Sequence, residues 1–407
     1  MGFKKTLKNK TSSPSSRKNN SKTGAKKNLA VLYGLGTLLA ISSALPAYVQ
    51  SNFLGQFIDL QTIGYIIMIA NASSLVAILL FPNLIKKLTN YFVTQVSLTV
   101  YGASLLGLAI SENAAMAIMS IVIFIISSNL IWINMDVLIE SFSQNKSTGR
   151  TRTIYFTFIN AGWILSPLAS SYLITKGEYS LIFLVSALLV IPVFSIFAHQ
   201  ARGLKHDVAY DHRALWPVVV RMFKDKNRRG IFMISLLLQL FYSSAVIYIP
   251  FHLLHNLGME YGVLGPIFSL MLIPFLIIEI PAGIMADKYW GEKEMLIAGM
   301  LIISVSLFSF YFISSPIIWL WAIFLFLSRV GAALVEAMRE SYFFKIVDAK
   351  DLVDINLFRT TGPIAYIIAS ALAIIVLYFF PLNYLFLFLG LIMLSGLTFA
   401  VGLRDTK

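Results

Sequence analysis

The chain has 407 residues, of which 58% are hydrophobic and 13% charged, and a mean hydropathy of +0.79. That composition excludes a soluble globular domain, and its apolar runs of roughly 20 residues match bilayer-crossing helices, not the alternating strands of a β-barrel. A net charge of +13 would suit nucleic acid, but its placement along the chain points to membrane topology, and the lack of cysteine excludes disulfides and thiolate metal sites.

Residues 1–28 are rich in Lys, Ser and Asn. They lack the apolar core and cleavage site of a signal peptide and read as a disordered, basic cytoplasmic tail near anionic lipid. Six apolar stretches follow, at 29–49, 62–84, 92–111, 114–138, 154–175 and 180–200, and are expected to form a first bundle, 29–200. Residues 201–229 form a cytoplasmic linker. Within it Leu215 to Phe223 mixes Trp216, Val218, Val219 and Met222 with Arg221, which suits an interfacial amphipathic helix as well as a plain connection. Six further stretches, at 230–253, 262–284, 294–313, 316–340, 359–380 and 382–403, give a second bundle, 230–403, before a short tail, 404–407. The expected fold is all-α, with twelve transmembrane helices in two six-helix bundles.

Basic residues fall in every second loop: Lys86 and Lys87; Lys146, Arg150 and Arg152; Arg202 to Arg229; Lys288 and Lys293; Lys345 and Lys350. The alternate loops carry Lys176 alone. This positive-inside asymmetry places both termini in the cytoplasm, as expected for a multi-pass protein of a prokaryotic inner membrane. The surroundings are the lipid bilayer, and a monomer with no nucleic-acid partner is expected.

The halves repeat at an offset of 200. Gly283 then pairs with Asn83, Asp287 with Lys87, Glu336 with Asp136, Glu340 with Glu140 and Gly362 with Gly162. Parallel repeats imply a substrate site between the bundles near the midplane.

Ionisable residues inside a membrane are expensive and so mark function or pairing. Arg329 falls mid-span in the tenth stretch and needs a carboxylate, backbone carbonyls or an anionic substrate, since a guanidinium stays charged. Glu279, near the inner end of the eighth, suits either proton acceptance or pairing. Asp136, Glu140, Glu336, Arg339 and Glu340 make charged inner ends to spans 4 and 10. Their expected role is an ion-pair gate with partners such as Lys87, Lys288, Arg150, Arg152 or Arg339. Asn71, Asn129, Asn134, Asn160, Gln239 and Tyr242 are candidates either for a central cavity or for interhelical hydrogen bonds. His252 and His255 suit an interfacial pair better than a metal site. No phosphate-binding loop and no metal-helix motif is present, so no cofactor, no metal and no enzymatic activity is expected.

Two motifs carry a resemblance. Gly283, Asp287, Lys288, Gly291 and Lys293 spell G-x-x-x-D-K-x-x-G-x-K between spans 8 and 9. In span 5, Gly162, Ser166, Pro167 and Ser170 spell G-x-x-x-S-P-x-x-S. Over residues 29–403 the chain resembles the major facilitator superfamily of transporters. The first motif is similar to that family's signature loop, whose other copy is degraded here by Asn83, Lys87 and Asn90. The second is similar to its antiporter motif. The resemblance implies a cavity lined by spans 1, 4, 7 and 10, which favours Asn129, Asn134, Gln239, Tyr242 and Arg329. Many proton-coupled drug exporters of the family carry an acid in span 1, and this chain has none there. The activity expected is secondary transport of a small solute by alternating access, in the form of proton-linked efflux of an amphipathic compound. Its rivals are uptake of a nutrient or anion through Arg329 and a non-transporting sensor or scaffold.

Overall fold

The computed structural model describes residues 14–142, 148–174, 178–200, 215–347 and 352–404. Lipid offers backbone groups no partner, and the described chain is accordingly helical almost throughout. Helix α1 (Pro14–Ala47) and the short α2 (Gln50–Leu54) make the first crossing. Crossings two to six are α3 (Leu60–Leu88), α4 (Asn90–Ala109), α5 (Ala114–Phe142), α6 (Thr148–Leu173) and α7 (Ser180–Gln200). After α8 (Leu215–Lys224), α9 (Lys226–Phe251) opens the second half and ends in one π turn, His252–Asn256. The eighth crossing is broken into α10 (Tyr261–Leu272), α11 (Pro274–Ile277) and α12 (Glu279–Lys288). Then come α13 (Glu292–Phe312), α14 (Ile318–Ile346), the split eleventh crossing α15 (Leu352–Arg359) and α16 (Thr361–Phe379), and α17 (Asn383–Gly402).

Eleven of the twelve crossings are long and apolar enough to span a membrane by composition alone. The other is α6, whose Asn160, Gly162, Ser166, Ser170 and Ser171 lower its hydropathy. It is packed between α1 and α10, so much of its surface meets protein. Within the first half α1 packs on α6 and α7, and α4 on α5 and α7. Within the second, α13 packs on α14 and α17, and α9 on α16 and α17. The halves meet along α3–α16 and α6–α10, with α2 capping the α9 end. An even number of crossings brings both chain ends to one face, here called the terminal face; the other is the far face.

Two expectations change, and one of two open readings is taken. The first helix starts at Pro14, so residues 14–28, assigned to a disordered tail, continue α1; proline is well placed in a first helical turn because its missing N–H would be unbonded there. Leu215–Lys224 is a helix with Val218 and Met222 buried and Trp216 and Phe223 exposed, while residues 201–214 lie outside the described ones. The repeat register holds where α3 and α12 end, at Leu88 and Lys288, but differs at the fourth and tenth crossings. Helices α5 and α14 have 29 residues each and begin at 114 and 318, which are 204 apart. Asp136 is therefore level with Glu340, not Glu336, because the connecting segments differ in length between the halves.

Candidate functional site

Arg329 is buried on α14, at 2% exposure. Its guanidinium carbon sits 4.8 Å from the Phe241 ring centroid and 5.8 Å from that of Tyr242, both on α9, and its charge reaches the Tyr48 phenol. Among the described residues no carboxylate lies within ion-pair distance, and its Nε has no hydrogen-bond partner. Aromatic rings from both halves surround this point: Tyr48 stacks on Phe268 at 5.1 Å and meets Trp163 edge-on at 6.4 Å, and Tyr242 meets Phe275 at 6.0 Å.

Two turns toward the terminal face the same stripe of α14 carries Glu336 and then Glu340. Tyr242 donates its hydroxyl to Glu336 Oε2. Arg339, buried, lies 3.7 Å from both Glu336 and Glu340 and donates to Ser235 Oγ at 2.6 Å. Arg359, at the end of α15, grips Glu340 with two donors at 2.8 and 3.3 Å. Its Nε lies 3.6 Å from Asp136 of the first half. Asp136, Glu336, Arg339 and Glu340 thus come together as the sequence suggests, but the cation joining the halves is Arg359. Sequence reasoning passed over it as the first residue of a span. Lys87 and Lys288 are exposed; the side chains of Glu140, Asp287, Arg150 and Arg152 lie outside the described ones.

Pro274 and Pro281 account for the break in the eighth crossing, because each lacks the N–H that an unbroken helix needs. Glu279 stands in the first turn of α12, at that break. It is half-buried and within electrostatic reach of Glu336, Glu340 and Arg339, yet it makes no ion pair or hydrogen bond with a described residue. Helix breaks at membrane depth are typical of solute and ion sites in transporters.

The remaining polar candidates divide. Asn129 donates to Ser74 Oγ and to Ile125 O, both at 3.0 Å, which ties α5 to α3; Asn71 donates to its own helix at Ile67 O. These two serve packing. Asn134 is fully buried with both amide atoms unpartnered, while Asn160 and Gln239 are half-buried. His252 is buried against Trp321 and Phe386, and His255 lies against Phe251. No cluster of three or more metal-ligating side chains exists among the described residues.

The far face is closed by direct contacts of α6, and of Tyr179 just before α7, with α10. The hydroxyls of Tyr179 and Tyr261 bond at 3.0 Å, Ser171 donates to Tyr261 O at 2.7 Å, and Leu168 N donates to Ser269 Oγ at 3.0 Å. Burial raises the Tyr179 phenol above its ordinary value, so it stays neutral at physiological pH and this seal is insensitive to it. Gly265 permits the approach: a Cβ there would sit 2.1 Å from Ser171 Cβ and 2.8 Å from Pro167 O. The span-5 motif acts in this packing. Gly162 lies against Ala40 and Ile41 of α1, Ser166 bonds within α6, and Ser170 donates to Leu45 O of α1 at 2.6 Å. These bonds carry no information on direction, so the expectation of efflux gains nothing from them.

On the terminal face Gly283 of the G-x-x-x-D-K-x-x-G-x-K loop has open space around it. A Cβ there would meet nothing within 4 Å, so close helix approach is not its role in this conformation. Gly291 has φ 93° and caps α13, a backbone that only glycine adopts freely. Lys293 is half-buried beside it, and the neighbouring Glu292 is buried and pairs with Lys345. In the other half the matching cap of α4 is Thr89, at φ 63° and ψ 148°. The degraded loop therefore keeps its bend with a β-branched residue in a region that is nearly glycine-only, and Thr89, not Asn90, stands in the second glycine's place. Such strain costs on the order of 1–3 kcal/mol, and Thr→Gly at a helix cap loses only a few tenths. Thr89→Gly is therefore expected to stabilise the protein by about 1 kcal/mol, as a rise in thermal midpoint of the detergent-solubilised chain. An unchanged or lower midpoint would refute the strain.

A family model described as Major Facilitator Superfamily matches residues 29–265 and again 231–407. The crystal structure of a POT family transporter in complex with 5-aminolevulinic acid is similar in fold, with a TM-score of 0.76 and 12% sequence identity over 92% of this chain and 95% of that one. No curated protein matches the sequence.

Proposed function

The chain belongs to the major facilitator superfamily of secondary transporters, and from that premise we propose that it moves a small amphipathic solute by alternating access linked to protons, with Glu279 as the proton carrier. The two bundles rock about the aromatic centre around Arg329. The α6–α10 seal closes the far face, and the Glu336–Arg339–Glu340–Arg359–Asp136 network closes the terminal face in the opposite phase. In the present conformation the far face is shut. The network keeps some exposure, 34% at Asp136 and 29% at Glu336, which suits access from the terminal face.

The observation that carries the proton assignment is a charge count. Four described carboxyls, Asp136, Glu279, Glu336 and Glu340, stand with two guanidiniums, Arg339 and Arg359. Negative charge is in excess there, and Glu279 alone has no donor or cation at bonding distance. A charge left without a partner at membrane depth is costly, so Glu279 takes the proton when buried and releases it when rocking exposes it.

This reading is tested without knowing the solute. Glu112 and Ser314 are exposed at far-face ends of the two halves, and the native chain has no cysteine. Spin labels on Glu112→Cys and Ser314→Cys in liposomes report the far-face separation. The two-state distribution is expected to shift several-fold between pH 8 and pH 5.5, and Glu279→Gln to abolish that shift. A distribution indifferent to pH, or a Glu279→Gln protein that responds like its parent, overturns the assignment.

A further inference from the structure

We propose that Arg329 is the docking point for the carboxylate of an amphipathic organic acid, whose apolar body lies against Tyr48, Trp163, Phe268 and Phe275. The inference rests on the transporter reading and names the class of solute for the same central site.

A guanidinium cannot shed its proton, and an ion buried without a counter-charge costs several kcal/mol even after relaxation. The rings of Phe241 and Tyr242 return about 2 kcal/mol at best through cation–π attraction. The protein's own acids do not supply the rest. Glu336, the nearest on the same helix stripe, is engaged by Tyr242 and Arg339, and Glu340 by Arg339 and Arg359. Arg329 is thus a fixed cation with an open donor, Nε, inside an aromatic enclosure. A carboxylate is the anion whose two oxygens fit a guanidinium edge.

Two features restrict the class further. Among the described residues Arg329 stands without a second basic group: Arg339, the next guanidinium on its helix, is ten residues on and held by two carboxylates and Ser235. One positive charge suits a monoanion better than phosphate or a dicarboxylate. The walls are rings, with Tyr48 on Phe268 and Trp163, and Tyr242 on Phe275. They suit a hydrocarbon or aromatic body and offer little to a sugar. Tyr48 and Trp163 belong to the first half, and Arg329, Phe268 and Phe275 to the second. An occupant that bonds Arg329 and fills the box therefore touches both bundles and favours the conformation in which they meet. Tyr242, half-buried where Arg329 is fully buried, is the ring that such an acid meets first from the terminal face.

The test uses matched pairs differing only in charge: 3-phenylpropionate and 3-phenylpropionamide, hexanoate and hexanamide, with inorganic phosphate and phenethylamine beside them. Each is titrated against purified protein by thermal unfolding, where a bound ligand raises the midpoint. Each acid is expected to act at a concentration at least about tenfold below its amide, with phosphate and phenethylamine inert. Arg329→Lys keeps the charge but not the fork and should weaken the acids about tenfold. Acid and amide acting alike, stabilisation by phosphate or the amine instead, or no shift with any acid would each overturn the proposal. A lost pH response in the parent protein would instead strike the proton-linked reading, so the two failures are distinguishable.

Discussion

Gly265→Val is expected to abolish transport while leaving the protein folded, because it acts on one conformation only. In the closed far face even the first added carbon would overlap Ser171 Cβ at 2.1 Å and the Pro167 carbonyl at 2.8 Å. The second of these is backbone and cannot rotate away. Overpacking of this kind costs typically 1–3 kcal/mol, and it falls on the far-face-closed state, since opening separates α6 from α10. A cost confined to one of two states shifts their ratio by about tenfold for each 1.4 kcal/mol. Gly265→Ala should therefore move the equilibrium by roughly one order of magnitude toward the open far face. Valine, with two further carbons, should move it far enough that solute flux falls by about a hundredfold. Spin labels at 112 and 314 read this directly: the long-distance population should dominate in Gly265→Val at every pH. A variant whose distances match the parent, or whose flux is within twofold of it, would show that the α6–α10 contact is not part of the cycle.

That glycine illustrates what the sequence conceals. The twelve crossings, the two-bundle division and the inward charges on spans 8 and 10 are all legible, since each rests on local composition or on the rarity of charge in lipid. Arg329 and Glu279 stand out for the same reason, but the sequence left open whether each is paired within the protein, and neither has an ion-pair partner among the described residues. The signature motif draws attention to Gly283, which has open space around it, and not to the close-packed Gly265. The space around a glycine is a property of its neighbours, and Gly265 gives no sign until Ser171 and Pro167 are placed against it. The repeat register changes along the chain for a related reason: α3 and α12 end 200 apart, at Leu88 and Lys288, but α5 and α14 are offset by 204, which brings Asp136 level with Glu340. Asp354 was also overlooked. It is buried at 1% exposure and clamps Arg221 of α8 and Arg228 of α9, so a residue that reads as ordinary loop charge fastens the linker helix to the second half.

Arg359 is the residue whose role depends most on three-dimensional placement, and its removal is the second large effect. It is the one described side chain that joins carboxylates of both halves, Glu340 at 2.8 Å and Asp136 at 3.6 Å. Arg359→Met keeps much of the apolar stem and deletes the charge. Asp136, Glu279, Glu336 and Glu340 then face Arg339 with no second cation beside them. Breaking a fully buried pair from one side costs about 3–5 kcal/mol. Arg359 and Glu340 are each 21% exposed, so a loss of about 2–3 kcal/mol is expected after screening by solvent. Most of it should come from the bidentate bond to Glu340, and under about 1 kcal/mol from the longer contact to Asp136. Adding Glu340→Gln to Arg359→Met should recover most of the stability, because removing both partners leaves no stranded charge. Asp136→Asn alone should barely change the thermal midpoint, yet it should loosen the terminal-face contact between the halves and raise the closed-far-face population. The comparison is run at pH 8 and at pH 5.5. Thermal unfolding of the four proteins at the two pH values checks the whole set. A single variant as stable as the parent, or a double variant no better than the single, would mean that water screens this cluster and that the gate lies elsewhere.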